Sequence, residues 1–351
     1  MRAKRLMESL EKRGISAALI HRRVNMRYLS GYTGEGCLLV TPNGMTIFTD
    51  FRYIEQVSRQ SPQSKCVRTG MGKSTEALIL EEMGDIRTLA IEDNHITYPH
   101  YKSLEKNLPG VELSSLGGEI ETLRRIKDQS EIDCIVRAAD IACKSFDQLL
   151  GIIRPGMTEK ELAVELNYFM LKNGAEGTGF DTIACAGANG SLPHAVPSDY
   201  QIQKGDLMTF DFGAVVDGYT CDMTRTIAIG EVSGELRAIY DTVLNAQMLA
   251  LEAIHPGVKC CEIDKIARDY IDARYPGAFG HSLGHGVGME VHEGPVFARS
   301  CEEEALPGHV LTVEPGVYIP NLGGCRIEDM VIITENGYIN PITAPKHLIT
   351  I

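Results

Sequence analysis

No run of about 18 apolar residues occurs in the 351-residue chain, so a membrane-spanning helix is not expected. The first residues, MRAKRLMESLEKRG, are basic, but no apolar stretch follows them. A secretory leader would need one, and the reading is a cytoplasmic protein with no membrane partner. Paired cysteine spacings are missing too. The ten cysteines are scattered, with Cys260 and Cys261 adjacent, which suits free thiols in a reducing compartment better than a disulfide framework. Without CxxC or CxxH spacing there is no zinc knuckle. Positive charge is in deficit: the formal net charge is −13, which disfavours a phosphate backbone and makes nucleic acid an unexpected partner. Some of that negative charge is expected at a metal site rather than on the surface. The one GxSxG spacing, at 280–284, lies in a glycine-rich stretch and lacks the strand-to-helix setting of a nucleophile elbow. The glycines around His285 lack the spacing and the strand–helix setting of a nucleotide or phosphate loop.

What remains is an ordinary globular composition, 44% hydrophobic and 23% charged, long enough for two domains. Residues 1–124 read as a small α/β domain. It opens with an amphipathic helix over 2–13 and a buried strand at Ala17–Ile20. The runs Cys37–Thr41 and Met45–Thr49 flank Pro42-Asn43-Gly44, in which Asn-Gly is a hairpin signal. A further strand is expected at Thr88–Glu92, and Asp50-Phe51-Arg52-Tyr53 reads as a strand-end loop.

Residues 125–351 have a different grammar. Ile132, Ile135, Val136, Ala139, Ala142, Phe146, Leu149 and Leu150 follow helical periodicity behind an Asp128/Glu131 capping box. Arg154-Pro155-Gly156 ends that helix, and Thr158 with Glu161 opens another, running to about Asn173. The order returns later: a helical face over Leu236–Ala250, a stop at His255-Pro256-Gly257, and a new helix from Glu262. Each helix pair precedes strand-like segments carrying two acidic residues. The region therefore reads as two αα-ββ halves of like design.

The segment LMTFDFGAVVDGYTCDMTRTIAI (Leu207–Ile229) carries chemistry. With Asp217-Gly218 as a two-residue turn, Val216 faces Tyr219 and Gly213 faces Asp222. Asp211 and Asp222 then share one face, diagonally related at roughly 7–8 Å between Cα atoms. Two carboxylates among buried apolar neighbours require a cation. In the second half, Glu314 ends an apolar strand, and Glu328 shares a face with Arg326 on the return strand, Asp329 lying on the other. Glu314 matches Asp211 and Glu328 matches Asp222, so four carboxylates are expected to converge between the halves. A glycine-rich stretch adds His281, His285 and His292, its alternating glycines allowing the backbone close to the site. Four carboxylates and an imidazole suit two divalent cations such as manganese, cobalt, iron or zinc. Any one of these residues alone has an ordinary explanation: a turn aspartate, an ion pair with Arg326, a loop histidine. Cys221 and Cys325 border the acidic residues and read as small strand residues.

The segments FDTIACAGANGSLPHAVPSD, GDLMTFDFGAVVDGYTCDMTRT, GHSLGHGVGMEVHEGP and LTVEPGVYIPNLGGCRIEDMV closely resemble those of the proline-specific metallopeptidases, aminopeptidase P and prolidase. TLRRIKDQSEID, IRPGMTEKELA, NMRYLSGYTG and TDFRY extend the likeness almost end to end. The resemblance implies an α+β chain, in which a creatinase-like α/β domain precedes a pita-bread domain of pseudo-twofold symmetry. It implies two divalent metal ions, manganese first, held by Asp211, Asp222, His285, Glu314 and Glu328, with Asp222 and Glu328 bridging and Asp211 binding through both oxygens. Water activated between the cations would attack, and Glu314 would take its proton and pass it to the leaving amine. His194 and His292 would hold the substrate carbonyl, His281 and Tyr318 would line the proline pocket, and Arg326 would orient Glu328. A homodimer acting on proline-containing peptides is also implied. Some prolidases carry an arginine where Val296 stands here, with Arg299 three residues on. That favours an Xaa-Pro aminopeptidase, with Xaa-Pro dipeptidase as the alternative. A more distant alternative, a non-catalytic binding homologue, would be marked by ligand loss, and all five ligands are present.

Overall fold

In a computed structural model, residues 2–351 are described, and they form two compact units, 2–124 and 125–351. The first unit contains one six-stranded sheet: β1 (Ala18–Ile20), β2 (Cys37–Thr41), β3 (Gly44–Thr49), β4 (Lys65–Arg68), β5 (Thr88–Ile91) and β6 (Glu112–Ser115), in the order β4-β3-β2-β1-β5-β6. The amphipathic helix spans Arg2–Glu11 and buries Leu6 and Leu10. One local reading shifts. Thr41 pairs with Gly44, so Pro42 and Asn43 are the turn residues and Gly44 belongs to the strand. Proline's fixed φ sets the turn one residue earlier than Asn-Gly alone suggests. Glu92 lies just beyond β5, where its carboxylate accepts from the His21 and Arg22 amides at 2.6 and 2.8 Å.

The second unit carries the expected helices, Gln129–Leu150, Glu159–Lys172, Gly234–Ala253 and Cys260–Asp272. The Asp128/Glu131 and Thr158/Glu161 capping boxes are both closed. The first pair is followed by β7 (Gly177–Thr178), β8 (Ile183–Ala186), β9 (Leu207–Phe212), β10 (Ala214–Val216), β11 (Tyr219–Thr220) and β12 (Met223–Ala228). The second is followed by β13 (Gly284–Gly286), β14 (Glu293–Phe297), β15 (Val310–Val313), β16 (Gly316–Ile319), β17 (Gly323–Arg326), β18 (Asp329–Thr334) and β19 (Gly337–Ile339).

The halves repeat in space. Strand β9 lies between β8 and β12, and β15 lies between β13 and β18. Each helix pair covers its own half with an apolar core, Ile135, Phe146 and Leu166 meeting Phe210 in one, Ile239, Val243 and Ile263 meeting Leu311 in the other. Backbone and side chain then stitch the halves together: the Glu328 amide donates to the Thr224 carbonyl at 3.1 Å, and the Thr226 hydroxyl donates to the Arg326 carbonyl at 2.8 Å. Among the described residues no helix is long and apolar enough to cross a membrane.

His309, on the turn before β15, is buried, and its Nδ1 accepts from the Leu306 amide at 3.1 Å. Burial, with Lys127 and Arg125 nearby, pushes its pKa down to about 4. The folded value lies below the unfolded one, so the stability of the neutral ring is complete above about pH 6.5 and is lost as pH falls toward 4. At ~1.4 kcal/mol per unit the loss is at most about 3 kcal/mol. His309→Asn keeps an acceptor that does not titrate. Urea unfolding at pH 7 and pH 4.5 should show a smaller acid loss in the variant than in the parent, and equal losses would remove His309 from the account.

Candidate metal and active site

The turn at Asp217-Gly218 sets the position of the first two carboxylates. Val216 pairs with Tyr219, and the same register continues through Phe212↔Met223 and Asp211↔Thr224 to Leu207↔Ala228. Asp222 thus falls opposite Gly213, as counting from the turn requires. Gly213 has no room for a side chain, because a Cβ there would lie 1.9 Å from the Cys221 carbonyl oxygen. In the second half the register is Val313↔Asp329 and Gly316↔Arg326, which sets Glu314 directly across from Glu328. The two acidic pairs are therefore not equivalent in detail, one being diagonal and the other face to face. Gly284 and Gly286 serve packing between strands rather than approach to the site: a Cβ would lie 1.9 Å from the Thr312 carbonyl oxygen on the first and 2.6 Å from the Gly294 carbonyl oxygen on the second.

All five expected ligands line one cavity of about 740 Å³, together with His194, His281, His292 and Arg326. Donor atoms of Asp222, His285 and Glu328 lie within 4.8 Å of one another. His285 Nε2 is 3.2 Å from Glu314 Oε1 and 3.6 Å from Asp222 Oδ2. Its Nδ1 lies 3.1 Å from the Gly286 carbonyl, which can only accept, so Nδ1 carries a proton and Nε2 faces the carboxylates, holding a second proton shared with Glu314 in the metal-free cluster and offering a lone pair once that proton is lost. The Thr312 hydroxyl donates to Glu314 Oε1 at 3.1 Å and accepts from the His285 amide.

The electrostatics are those of a cluster short of positive charge. Burial and then the neighbouring Glu328 push the Asp222 carboxyl well above its ordinary range. Burial, Glu314 and Asp211 do the same to Glu328. Burial would raise Glu314 too, but the hydrogen bond and charge of His285 outweigh it and its pKa falls. Asp211 Oδ1 and Asp222 Oδ1 are buried with no hydrogen-bond partner. Two partnerless buried carboxylate oxygens, facing carboxylates and a correctly presented imidazole, fit divalent cations. The thiols beside them do not take part. Cys221 and Cys325 are buried and held protonated, Cys325 pushed up to about 12 by burial, as their reading as small strand residues requires.

Arg326 differs from expectation. It does not touch Glu328. Its guanidinium donates to Asp211 Oδ2 at 2.7 Å, to the Tyr318 hydroxyl at 2.8 Å, to the Pro193 carbonyl and to Thr224 Oγ1. Thr224 donates in turn to Glu328 Oε2 at 2.7 Å, so the link to Glu328 runs through a hydroxyl. A long side chain entering beside β9 meets the carboxylate of that strand first. Tyr318 does not line the cavity. Its hydroxyl accepts from Arg326 and lies 3.0 Å from His281 Nε2, to which it can donate. Burial makes His281 less basic, and its Nδ1 faces the Ser282 carbonyl, so the ring is fixed as a neutral acceptor toward Tyr318. His194 and His292 are exposed on the cavity wall, the His292 ring 4.3 Å from that of His285. Arg299 lies outside the cavity, 3.6 Å from Asp272.

Reading the sequence missed Thr224 and Thr312. The signal was available: each stands two residues from a carboxylate, hence on its face. Thr224→Val keeps the shape and deletes the bridge between Arg326 and Glu328. Calorimetric titration with Mn²⁺ should show affinity reduced by about 10–100-fold, the usual effect of losing a partner that orients a ligand. Unchanged affinity would make the hydroxyl merely structural.

The chain matches Metallopeptidase family M24 over residues 133–335 and the Creatinase/Prolidase N-terminal domain over residues 2–126. It is 38% identical over 341 residues to the Xaa-Pro dipeptidase of Pyrococcus horikoshii, covering 96% of this chain and 95% of that one. In structure it resembles an Xaa-Pro dipeptidase from Bacillus anthracis, with a TM-score of 0.95, 38% identity, and 100% and 99% of the two chains covered. It also resembles the X-Pro aminopeptidase from Thermotoga maritima, with a TM-score of 0.93, 34% identity and both chains fully covered.

Proposed function

Since the chain belongs to metallopeptidase family M24, behind a creatinase/prolidase-type N-terminal domain, we propose that it is an Xaa-Pro dipeptidase, cleaving a dipeptide before its proline. The observation that carries the reading is a set of four carboxylates and His285, gathered on a cavity of about 740 Å³ with two buried carboxylate oxygens unpartnered. That volume lies within the range of small-ligand sites. Likeness over nearly the whole chain to proteins named Xaa-Pro dipeptidase supports the dipeptidase side of the pair.

Asp211, Asp222, His285, Glu314 and Glu328 would hold two divalent cations, and an oxygen-rich set with one imidazole suits manganese. When bound, the cations would supply Lewis acidity and make water a nucleophile at neutral pH. Glu314 has Oε1 engaged by Thr312 and His285, which leaves Oε2 to take the attacking water's proton and return it to the prolyl nitrogen as the C–N bond breaks. His194 and His292 would donate to the carbonyl oxygen as it gains charge. His281, fixed through Tyr318 and Arg326, would present its ring to proline. A tertiary amide with no N–H to grip needs such a shaped wall.

One observation favours the aminopeptidase reading. Val296 lines the cavity where some prolidases carry an arginine, and Arg299 lies outside it. Incubation with Mn²⁺ or Co²⁺ and both an Xaa-Pro dipeptide and an Xaa-Pro-Xaa-Xaa tetrapeptide, followed by mass spectrometry, separates the two. Cleavage confined to the dipeptide supports the proposal, and release of the first residue of the tetrapeptide overturns it in favour of an aminopeptidase. No cleavage of either would bring the binding-homologue reading forward.

A further inference from the structure

The strands on one side of the metal ligands run out of step. Strand β7 pairs with β10 so that Thr178 faces Ala214, while β8 pairs with β9 so that Ile183 faces Asp211. Between these pairs, residues 179–182 on one edge oppose only residues 212–213 on the other. The Gly179 amide still bonds the Gly213 carbonyl at 2.8 Å, so the two surplus residues are taken up at 180–182. Bulges of this kind re-aim side chains next to sites. Phe180, Asp181 and Thr182 all line the cavity.

The three residues differ in what they offer. Thr182 is buried, and its hydroxyl donates to Asn167 at 2.6 Å. Phe180 is half-buried beside Gly213, its ring contributing an apolar wall. Asp181 is exposed, and among the described residues its carboxylate has no hydrogen bond or ion pair. Other charges on the cavity wall are committed. Four carboxylates belong to the ligand set, Glu293 is paired with Lys127 at 3.1 Å, and the Arg326 guanidinium is occupied by Asp211 and Tyr318. Asp181 is thus uncompensated charge that a substrate would meet outside the ligand cluster.

We propose that Asp181 is a specificity-determining residue, selecting a lysine or arginine as the residue before proline. This rests on the Xaa-Pro reading of the site. The aliphatic stem of such a side chain would lie along Phe180 and its charged head would reach Asp181. A neutral residue would gain nothing from the carboxylate, and an acidic one would be repelled.

The test compares Lys-Pro, Leu-Pro and Glu-Pro as substrates of the Mn²⁺-loaded enzyme and of Asp181→Asn and Asp181→Lys. The parent should favour Lys-Pro over Glu-Pro by about tenfold in kcat/KM, an attraction and a repulsion each worth the few-fold of a partly solvated pair. The preference should reside in KM and shrink with added salt. Asp181→Asn should abolish it while leaving Leu-Pro within about twofold, and Asp181→Lys should reverse it. A parent indifferent to charge, or an Asn variant slowed equally on all three, overturns the assignment while leaving the Xaa-Pro reading standing. A parent that cuts none of the three overturns that reading, and the selection with it.

Discussion

Asp222→Asn should abolish hydrolysis while leaving the protein folded. Asparagine matches aspartate in shape, but its amide cannot replace an anionic ligand. Losing a group that merely orients a ligand costs about 10–100-fold, so loss of a ligand should lower kcat/KM beyond the top of that range. A second readout distinguishes ligand loss from damage. Burial and repulsion from Glu328 hold the Asp222 pKa high. A carboxylate with a raised folded pKa contributes its stability below the ordinary carboxylate range and loses it as pH rises through the raised value. At neutral pH without metal, Asp222→Asn should therefore melt no lower than the parent, while the rise in melting temperature on adding Mn²⁺ should shrink. An active variant, or one destabilised without metal, would remove Asp222 from the ligand set.

Asp329→Ala should cost about 3–5 kcal/mol, the range for breaking a buried ion pair from one side. Asp329 adjoins Glu328 but points away from the site, as alternation along the strand requires. Its side chain is fully buried, taking Arg225 at 2.8 Å, Lys346 at 2.8 Å and Asn340. Burial alone would raise its pKa, and the charges of Arg225 and Lys346 overcome this and lower it. Its contribution is therefore present at neutral pH and lost as pH falls through the depressed value. The alanine variant strands a guanidinium that also holds the Glu328 and Ala344 carbonyls. Unfolding in urea at pH 7 measures the loss, and a value below about 1 kcal/mol would show that water or a rearranged Lys346 compensates.

Much of this site could be read from the chain because strand register is arithmetic. Once Asp217-Gly218 is a turn, Asp211 and Asp222 must share a face, and the register set at the turn is the one found again from Phe212↔Met223 to Leu207↔Ala228. The helices and their capping boxes were legible for a similar reason, being set by neighbours three and four residues apart. Features that depend on contacts between distant segments were not. Arg326 finds Asp211 rather than Glu328, a choice between partners on different strands. The slip at residues 179–182 changes no local pattern and shows only when both neighbouring pairings are known. The turn at Pro42-Asn43 was missed by one residue, because two turn-forming signals overlap and proline's fixed φ decided between them.

The stitching of the two halves has a consequence for motion. Thr224 and Thr226 on β12 bond the backbone at Glu328 and Arg326, so the edge strand that follows Asp222 is tied to the chain that carries Glu328. Opening the halves like a hinge would break these bonds among buried side chains and pull the carboxylate pairs apart. The carboxylate frame is accordingly stiff, whereas His194 and Val196, exposed on the cavity wall, have amides with no hydrogen bond among the described residues. In deuterated water the amide of Glu328 should retain its proton until the whole unit unfolds, while the amides of His194 and Val196 exchange early.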